Sequence, residues 1–421
     1  MKKILIIIVL FIYKISIAQE SNICKCNALT KSEDSIKKFT NYNVTTISKK
    51  DALKPPFHFI SVKYLKSHAN SGEMVDSVDL KIKNFLKLKN IDHDDDLLHY
   101  QVTDSIKKAE FAKTFGIVPK PLIVKSGKLH HSIAILYSTD NYYKSKYYLA
   151  LSTDDGKTWK NYYTGLVRKF NYILKSNSQV PLWKDSEHIQ IEADIVRMIQ
   201  PMNFPGPQEQ FETLKNNALL TLNLKEILKD SDNDGFNDLD ETLELFTNPL
   251  SSDTDYDGIS DYEDPNPKYK STDNDFNRLL LAILYGNYPV VENSDPRQTE
   301  FIVNLKTFEK DFKNPDIFFH EKEMQSSDPF DFSFIITDNQ SLKTITPIDK
   351  KIIFLTSQEF AKYKKNTFMN LYTSHYSKLF PCDDAEDTYI FVMDNVWMGH
   401  TYLIKKIPDG WFIKIVSGWQ S

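Results

Sequence analysis

Asp230, Asp232, Asp234 and Asp238 stand at positions 1, 3, 5 and 9 of a short loop, with Gly235 at position 6 and Glu241 at position 12. Asp253, Asp255, Asp257 and Asp261 repeat that register 23 residues later, with Gly258 at 6 and Asp264 at 12. A hard cation such as Ca²⁺ takes six to eight oxygens at about 2.3–2.6 Å, and alternate residues of a tight loop can aim oxygens inward. Glycine at position 6 allows the sharp turn that a Cβ would obstruct. The carbonyls of Phe236 and Ile259, at position 7, would add a backbone ligand to each cage, and the position-12 carboxylates would close it. Thirteen carboxylates and no Lys or Arg lie between Asp230 and Asp264. That density of like charge repels itself unless a cation neutralises it. The bland alternative is a solvated acidic linker, and the shared register of two copies argues against it.

The pattern resembles the bacterial thrombospondin type 3 repeat more closely than the EF-hand. EF-hands favour an aliphatic residue at position 8, where this chain has Asn237 and Ser260. Here the apolar residue is at position 7 and an Asp at position 9, and Thr247-Asn248-Pro249 punctuates the two loops as in the repeat family. The resemblance spans about 230–277. It implies a calcium-ordered spacer, usually in extracellular proteins, and no catalytic activity. A third copy starts and fails: Asp273 and Asp275 keep the spacing, but Ser271 replaces the first Asp and Phe276 the glycine. Those two could lend oxygens to the second loop or simply form the polar start of the next helix.

Three elements bear on where such loops would work. Met1-Lys2-Lys3, an apolar run from Ile4 to Tyr13 and Ser16-Ile17-Ala18 read as a secretory signal peptide, 1–18, cut before Gln19. The apolar run is too short to span a bilayer, and no later stretch is longer. The expected protein is therefore secreted, periplasmic or at the cell surface, with no membrane span after cleavage. Extracellular calcium suits weak sites of about 10⁻⁴–10⁻³ M. Loss of Lys2, Lys3 and Lys14 takes the net charge from −5 to −8. Since the acidic stretch alone carries −13, the remainder is mildly basic, without the concentrated basic face that nucleic acid requires. The three cysteines, Cys24, Cys26 and Cys382, are too few for a disulfide scaffold. They leave open a staple from the N-terminal pair to Cys382, or free thiols.

The flanks read as α+β: two mixed α/β domains with antiparallel sheets, 19–225 and 276–421, joined by an irregular calcium-binding loop segment, 226–275. In the first, strands are expected from Phe57, from Pro121, over Ser132–Ser138 and over Tyr147–Ser152, with Ser126-Gly127-Lys128 as a turn. Helices are expected at Ser32, from Thr103-Asp104-Ser105 onward, and over GPQEQFETLKNNALL and LNLKEIL before the acidic loops. In the second, a helix follows Phe276, FIVNLKTF and FSFIITD are strands, Thr356 caps a helix, and the chain ends in a hairpin turning at Pro408-Asp409-Gly410.

Other clusters carry weaker chemistry. Ser152-Thr153-Asp154-Asp155-Gly156-Lys157-Thr158-Trp159 fits the Asp-box pattern S-x-D-x-G-x-T-W, which resembles the hairpins of sialidase-type propellers and other secreted β proteins. The resemblance implies a structural turn, and a propeller would repeat it, whereas one copy occurs. His93-Asp94-Asp95-Asp96 is a metal candidate or a solvated loop. His130-His131, read as strand, would face opposite sides. Glu192 and Asp194 would share a strand face, either as a carboxylate pair or as a salt-bridged surface pair. His400 is a lone histidine. No nucleophile elbow, HExxH helix, Walker loop or dinucleotide glycine pattern occurs. The expected role is structural or adhesive, with a cell-surface protein or glycan as partner. The alternative is a secreted, glycan-directed hydrolase with calcium as a structural ion.

Overall fold

The structure is a computed structural model and describes residues 31, 48–69, 77–89, 96–138, 146–167, 172–200, 210–285, 300–308, 332–348, 350–361, 374–383, 385–395 and 398–420. The signal-peptide, Cys24/Cys26, His93–Asp95 and Ser32-helix expectations lie outside these residues. Cys382 is buried.

The N-terminal half is built on two antiparallel sheets. Its strands are β1 (Ile60–Tyr64), the small pair β2 (Thr114–Phe115) and β3 (Val118–Pro119), β4 (Ile123–Leu129), β5 (Ser132–Ser138), β6 (Lys146–Ser152), β7 (Lys160–Val167), β8 (Tyr172–Leu174), β9 (Trp183–Asp185), β10 (His188–Gln200) and β11 (Gln210–Asn223). One sheet runs β1-β11-β10-β8 with β9 on β10, and the other runs β4-β5-β6-β7. Ile189, Ile191, Ala193 and Ile195 on β10 and Ala218, Leu220 and Leu222 on β11 point to one side. They share a core with Ala134 and Leu136 on β5 and Leu149 and Leu151 on β6. This two-residue period is what sheet-on-sheet packing demands.

Several expectations are corrected here. GPQEQFETLKNNALL is not a helix: from Gln210 it is β11, paired along its length with β10. Its charged half has good helix propensity, but alternate burial of Ala218, Leu220 and Leu222 against two neighbouring strands outweighs it. Of LNLKEIL, only Leu224–Ile227 is helical. Thr103-Asp104-Ser105 lies inside a helix that spans Asp96–Phe111 rather than opening one. Ser126-Gly127-Lys128 is mid-strand in β4, and the reversal comes at His130-His131, with His130 at φ 52°. The two histidines are thus a turn, not a strand. Glu192 and Asp194 do share a face of β10, but buried rather than on the surface: Asp194 pairs with buried Lys175 at 2.9 Å.

The C-terminal half is one mixed sheet. Its strands are β12 (Glu300–Asn304), β13 (Phe332–Thr337), β14 (Lys351–Leu355), β15 (Ser374–Tyr376), β16 (Phe380–Pro381), β17 (Thr388–Asp394), β18 (Met398–Ile407) and β19 (Gly410–Gln420). The order is β12-β19-β18-β17-β15-β13-β14, with β16 on β17. Antiparallel pairing holds from β12 to β15, whereas β13 runs parallel to both β14 and β15, which the expectation of antiparallel sheets missed. All five residues of β14 are buried, as parallel strands covered on both faces require. The final hairpin turns at Pro408-Asp409, as the sequence predicts.

The two faces of this sheet have different covers. Leu279, Leu280 and Ile283, from the helix Asp275–Tyr285, pack with Ile335, Phe354, Phe391 and Trp411 on one face. Phe332, Phe334, Ile336, Ile353 and Leu355 project to the other and meet Phe236 and Leu245 from the acidic segment. The segment between the halves is therefore a layer of the C-terminal core as well as a connection.

Candidate metal centre

The two acidic loops have nearly the same hydrogen-bond pattern. The position-1 carboxylate accepts from the position-6 N–H in each: Asp230 from Gly235 at 3.3 Å, Asp253 from Gly258 at 2.8 Å. The position-5 N–H donates to the position-3 carboxylate, Asp234 to Asp232 at 3.2 Å and Asp257 to Asp255 at 3.1 Å. The position-7 N–H donates to the position-5 carboxylate, Phe236 to Asp234 at 2.8 Å and Ile259 to Asp257 at 2.9 Å. Position 4 is left-handed in both, Asn233 at φ 63° and Tyr256 at φ 61°. Position 6 follows at φ 116° for Gly235 and 100° for Gly258, which is where glycine is required. One oxygen from each of Asp230, Asp232 and Asp234 lies within 4.8 Å of the others, and the same holds for Asp253, Asp255 and Asp257.

The position-9 residues stand apart from these clusters. Asp238 accepts from the Ser231 N–H at 2.8 Å, the Ser231 hydroxyl at 2.9 Å and Lys229 Nζ at 2.6 Å. Asp261 accepts from the Thr254 N–H at 2.9 Å and its hydroxyl at 2.7 Å. Both carboxylates clamp the loop through position 2, so their side chains are engaged by protein. The position-12 carboxylates are buried behind the loops.

Burial and mutual repulsion leave these oxygens electrostatically uncompensated by protein. Asp232 Oδ2, Asp234 Oδ2, Glu241 Oε2 and Asp255 Oδ2 are buried and accept no hydrogen bond among the described residues. Burial, then neighbouring carboxylates, raises Asp234 and Asp255 to about 6 and Glu241 to about 8. Asp261 and Asp264 are also pushed up, chiefly by burial. Glu241 feels Asp232, Asp234 and Asp261, so the second loop's clamp lies within electrostatic reach of the first loop's cluster. An all-oxygen donor set with orphaned buried lone pairs fits a hard divalent ion better than it fits water or a thiophilic metal.

The third copy does not join them. Asp273 is held bidentately by Arg278 at 2.7 Å, Asp275 pairs with Lys406, and Asn274 caps the helix by accepting from Phe276 and Asn277. The helix-start alternative is the one the geometry takes.

Residues far away in sequence complete the site. Lys351, at the start of β14, is buried and donates to the carbonyls of Asp261 at 2.7 Å, Tyr262 at 3.3 Å and Asp264. Burial draws its ammonium down to about 8 despite Asp264, Asp261 and Asp234 nearby. The Asn266 amide donates to the carbonyls of Lys343 and Ile345 at 2.7 and 3.0 Å. On the other side, Glu244 forms a buried ion pair with Lys146 of β6, and Leu239 packs on the N-terminal core. Asp240 is buried with neither oxygen hydrogen-bonded among the described residues, and burial beside Glu244 raises it far above the usual carboxylate range. Sequence spacing could not find Lys351 or Lys146, because each meets its partner through a long-range packing contact.

No protein-family model matches the chain, and no curated protein or solved structure matches it. The loop geometry therefore carries the functional argument.

The Asp box forms the hairpin between β6 and β7. Asp154 accepts from the N–H groups of Lys157 and Thr158 at 3.0 and 2.9 Å and from the Thr158 hydroxyl at 2.7 Å, which holds it near 2. Asp155 is held by Lys128 at 2.8 Å and His131 at 2.6 Å. Trp159 donates to the Gly156 carbonyl at 3.0 Å, and a Cβ on Gly116 would come within 2.5 Å of its ring. Both carboxylates are thus occupied by the turn and the adjoining hairpin.

Proposed function

We propose that the chain is an exported calcium-binding protein in which cations held by two repeat loops fix a structural segment wedged between two β-rich domains. One ion is held by Asp230, Asp232, Asp234, the Phe236 carbonyl and Glu241, and one by Asp253, Asp255, Asp257, the Ile259 carbonyl and Asp264. Asp238 and Asp261 act as loop clamps. The observation that carries this reading is the cluster of three carboxylates at positions 1, 3 and 5 repeated in both loops, with a buried oxygen at position 3 of each that accepts no hydrogen bond among the described residues. Without cations, the loops place raised-pKa carboxylates against each other and against Phe236, the residue that keys the segment into the C-terminal core. With cations, that repulsion is offset and the wedge is fixed. The role is structural or adhesive at the cell surface or in the periplasm.

Titration calorimetry of chelator-treated protein with CaCl₂ tests this. At least two sites are expected, with affinities of about 10⁻⁴–10⁻³ M or tighter. Asp232→Ala and Asp255→Ala should each remove one site while leaving the other. Neither heat nor a thermal shift at millimolar calcium would make the segment an acidic linker.

A further inference from the structure

A cavity of about 540 Å³ opens at one end of the C-terminal sheet, remote from the acidic loops in sequence. The first residues of β13, β15 and β18 and the last of the helix Asp275–Tyr285 contribute to it, together with Asn395 just beyond β17. The volume is within the range of small-molecule sites, about 300–1,000 Å³, which pair an apolar lining with a few placed polar groups.

The lining is selective in two ways. Its body is apolar and soft: Ile335, Ile352 and Ile415 stand with Met393 and Met398 and with the rings of Tyr376 and Tyr402. Thioethers and tyrosine rings favour a flat aromatic guest through sulfur–π and edge-to-face contacts. Its charge is one-sided. Among the described lining residues, exposed Lys350 is the one formal charge, and none is a carboxylate. His400 Nδ1 lies 3.4 Å from the Tyr402 hydroxyl, and burial lowers its pKa. The decisive polar group is Tyr376. Its side chain is more than nine-tenths buried, it lines the cavity, and its hydroxyl makes no hydrogen bond among the described residues. A phenol hydroxyl that faces a cavity without a protein partner is a donor for whatever enters.

We propose that this cavity is a binding site for a small aromatic monocarboxylate, whose ring lies among the methionines and tyrosines and whose carboxylate accepts from Tyr376 and pairs with Lys350. The inference is independent of the calcium reading, since no acidic-loop residue lines the cavity.

2-Naphthoate fluorescence and calorimetry with the purified full chain test it, with 2-naphthalenemethanol and 2-naphthylmethylamine as neutral and cationic counterparts. Saturable 1:1 binding of naphthoate is expected, at least tenfold tighter than the alcohol and with no binding of the amine. Tyr376→Phe should weaken naphthoate about tenfold while leaving the alcohol within about threefold, because it removes a donor to a charged group. Lys350→Gln, an exposed change that spares the fold, should weaken naphthoate by severalfold. Met398→Trp, which fills the cavity, should abolish binding of both, and unchanged melting temperatures would separate that loss from misfolding. Equal affinity for acid, alcohol and amine, no saturable binding at millimolar naphthoate, or binding indifferent to both Tyr376→Phe and Met398→Trp would each overturn the proposal.

Discussion

The loops Asp230–Glu241 and Asp253–Asp264 are nearly identical in internal hydrogen bonding and opposite in surroundings. Phe236, at position 7 of the first, is fully buried among Phe332, Phe334 and Leu355 of the C-terminal sheet. Ile259, its counterpart, is 44% exposed, and Tyr256 at position 4 is 75% exposed. A loop of this kind thus needs only its own turn geometry to form. What it does for the rest of the molecule depends on the one side chain it directs outward. The first loop is a keystone between two cores, whereas the second, its own position-7 side chain exposed, is tied to the C-terminal half through Tyr262 packed on Phe236 and through buried Lys351.

Truncation at position 7 should separate the loops most sharply. Phe236→Ala is expected to cost about 3–5 kcal/mol, as large-to-small changes in a packed aromatic core do. Ile259→Ala is expected to stay within about 0.5 kcal/mol, because only its carbonyl is used. Equal losses in urea unfolding would mean that the two loops are equally embedded. Next in size is Lys351→Met, expected to lower the stability of chelated protein by about 1.5–3 kcal/mol, since three carbonyls lose a charged donor. The same change should tighten calcium at the second loop, because it removes a fixed positive charge beside Asp264. Weaker calcium binding in that variant would show instead that Lys351 serves mainly to shape the loop.

Calcium itself should stabilise more modestly. For sites of 10⁻⁴–10⁻³ M, 1 mM calcium adds about 0.4–1.4 kcal/mol per site. Calorimetric melting of Asp232→Ala and Asp255→Ala, each with and without calcium, would apportion that gain between the loops.

A further contrast lies in the pH dependence of metal-free protein. Asp234, Asp255 and Glu241 have folded-state values raised to about 6, 6 and 8, against 3.8 for Asp and 4.5 for Glu. The folded chain therefore holds protons that the unfolded chain releases. Stability in chelator should then fall as pH rises from about 4 through 8, the reverse of a salt-bridged carboxylate. Only the first loop contains Glu241, so Glu241→Gln should flatten the decline between pH 6 and 8 while Asp264→Asn leaves that interval unchanged. A melting temperature that rises with pH across this range would overturn the assignment.

What could be read without coordinates was what is local. The loop register, its two glycines, the Asp-box turn, the helix after Asp275 and the Pro408-Asp409 reversal each follow from backbone sterics and neighbour hydrogen bonds, which a few consecutive residues specify. The β11 sequence misled because Glu212, Leu214 and Lys215 favour helix, and only pairing with β1 and β10 makes strand the better state. The parallel arrangement of β13, β14 and β15 had no signature either, since a short, fully apolar strand reads alike in any direction. The sequence alone therefore determined that two carboxylate-rich loops share one turn geometry and which of their residues carry the oxygens. Tertiary structure alone decided that one loop is a keystone, that Lys351 and Lys146 brace the segment from either side, and that Tyr376 faces a cavity. Those features depend on contacts between residues distant in the chain, 87 to 98 positions apart for the two lysines, which spacing along the chain does not encode.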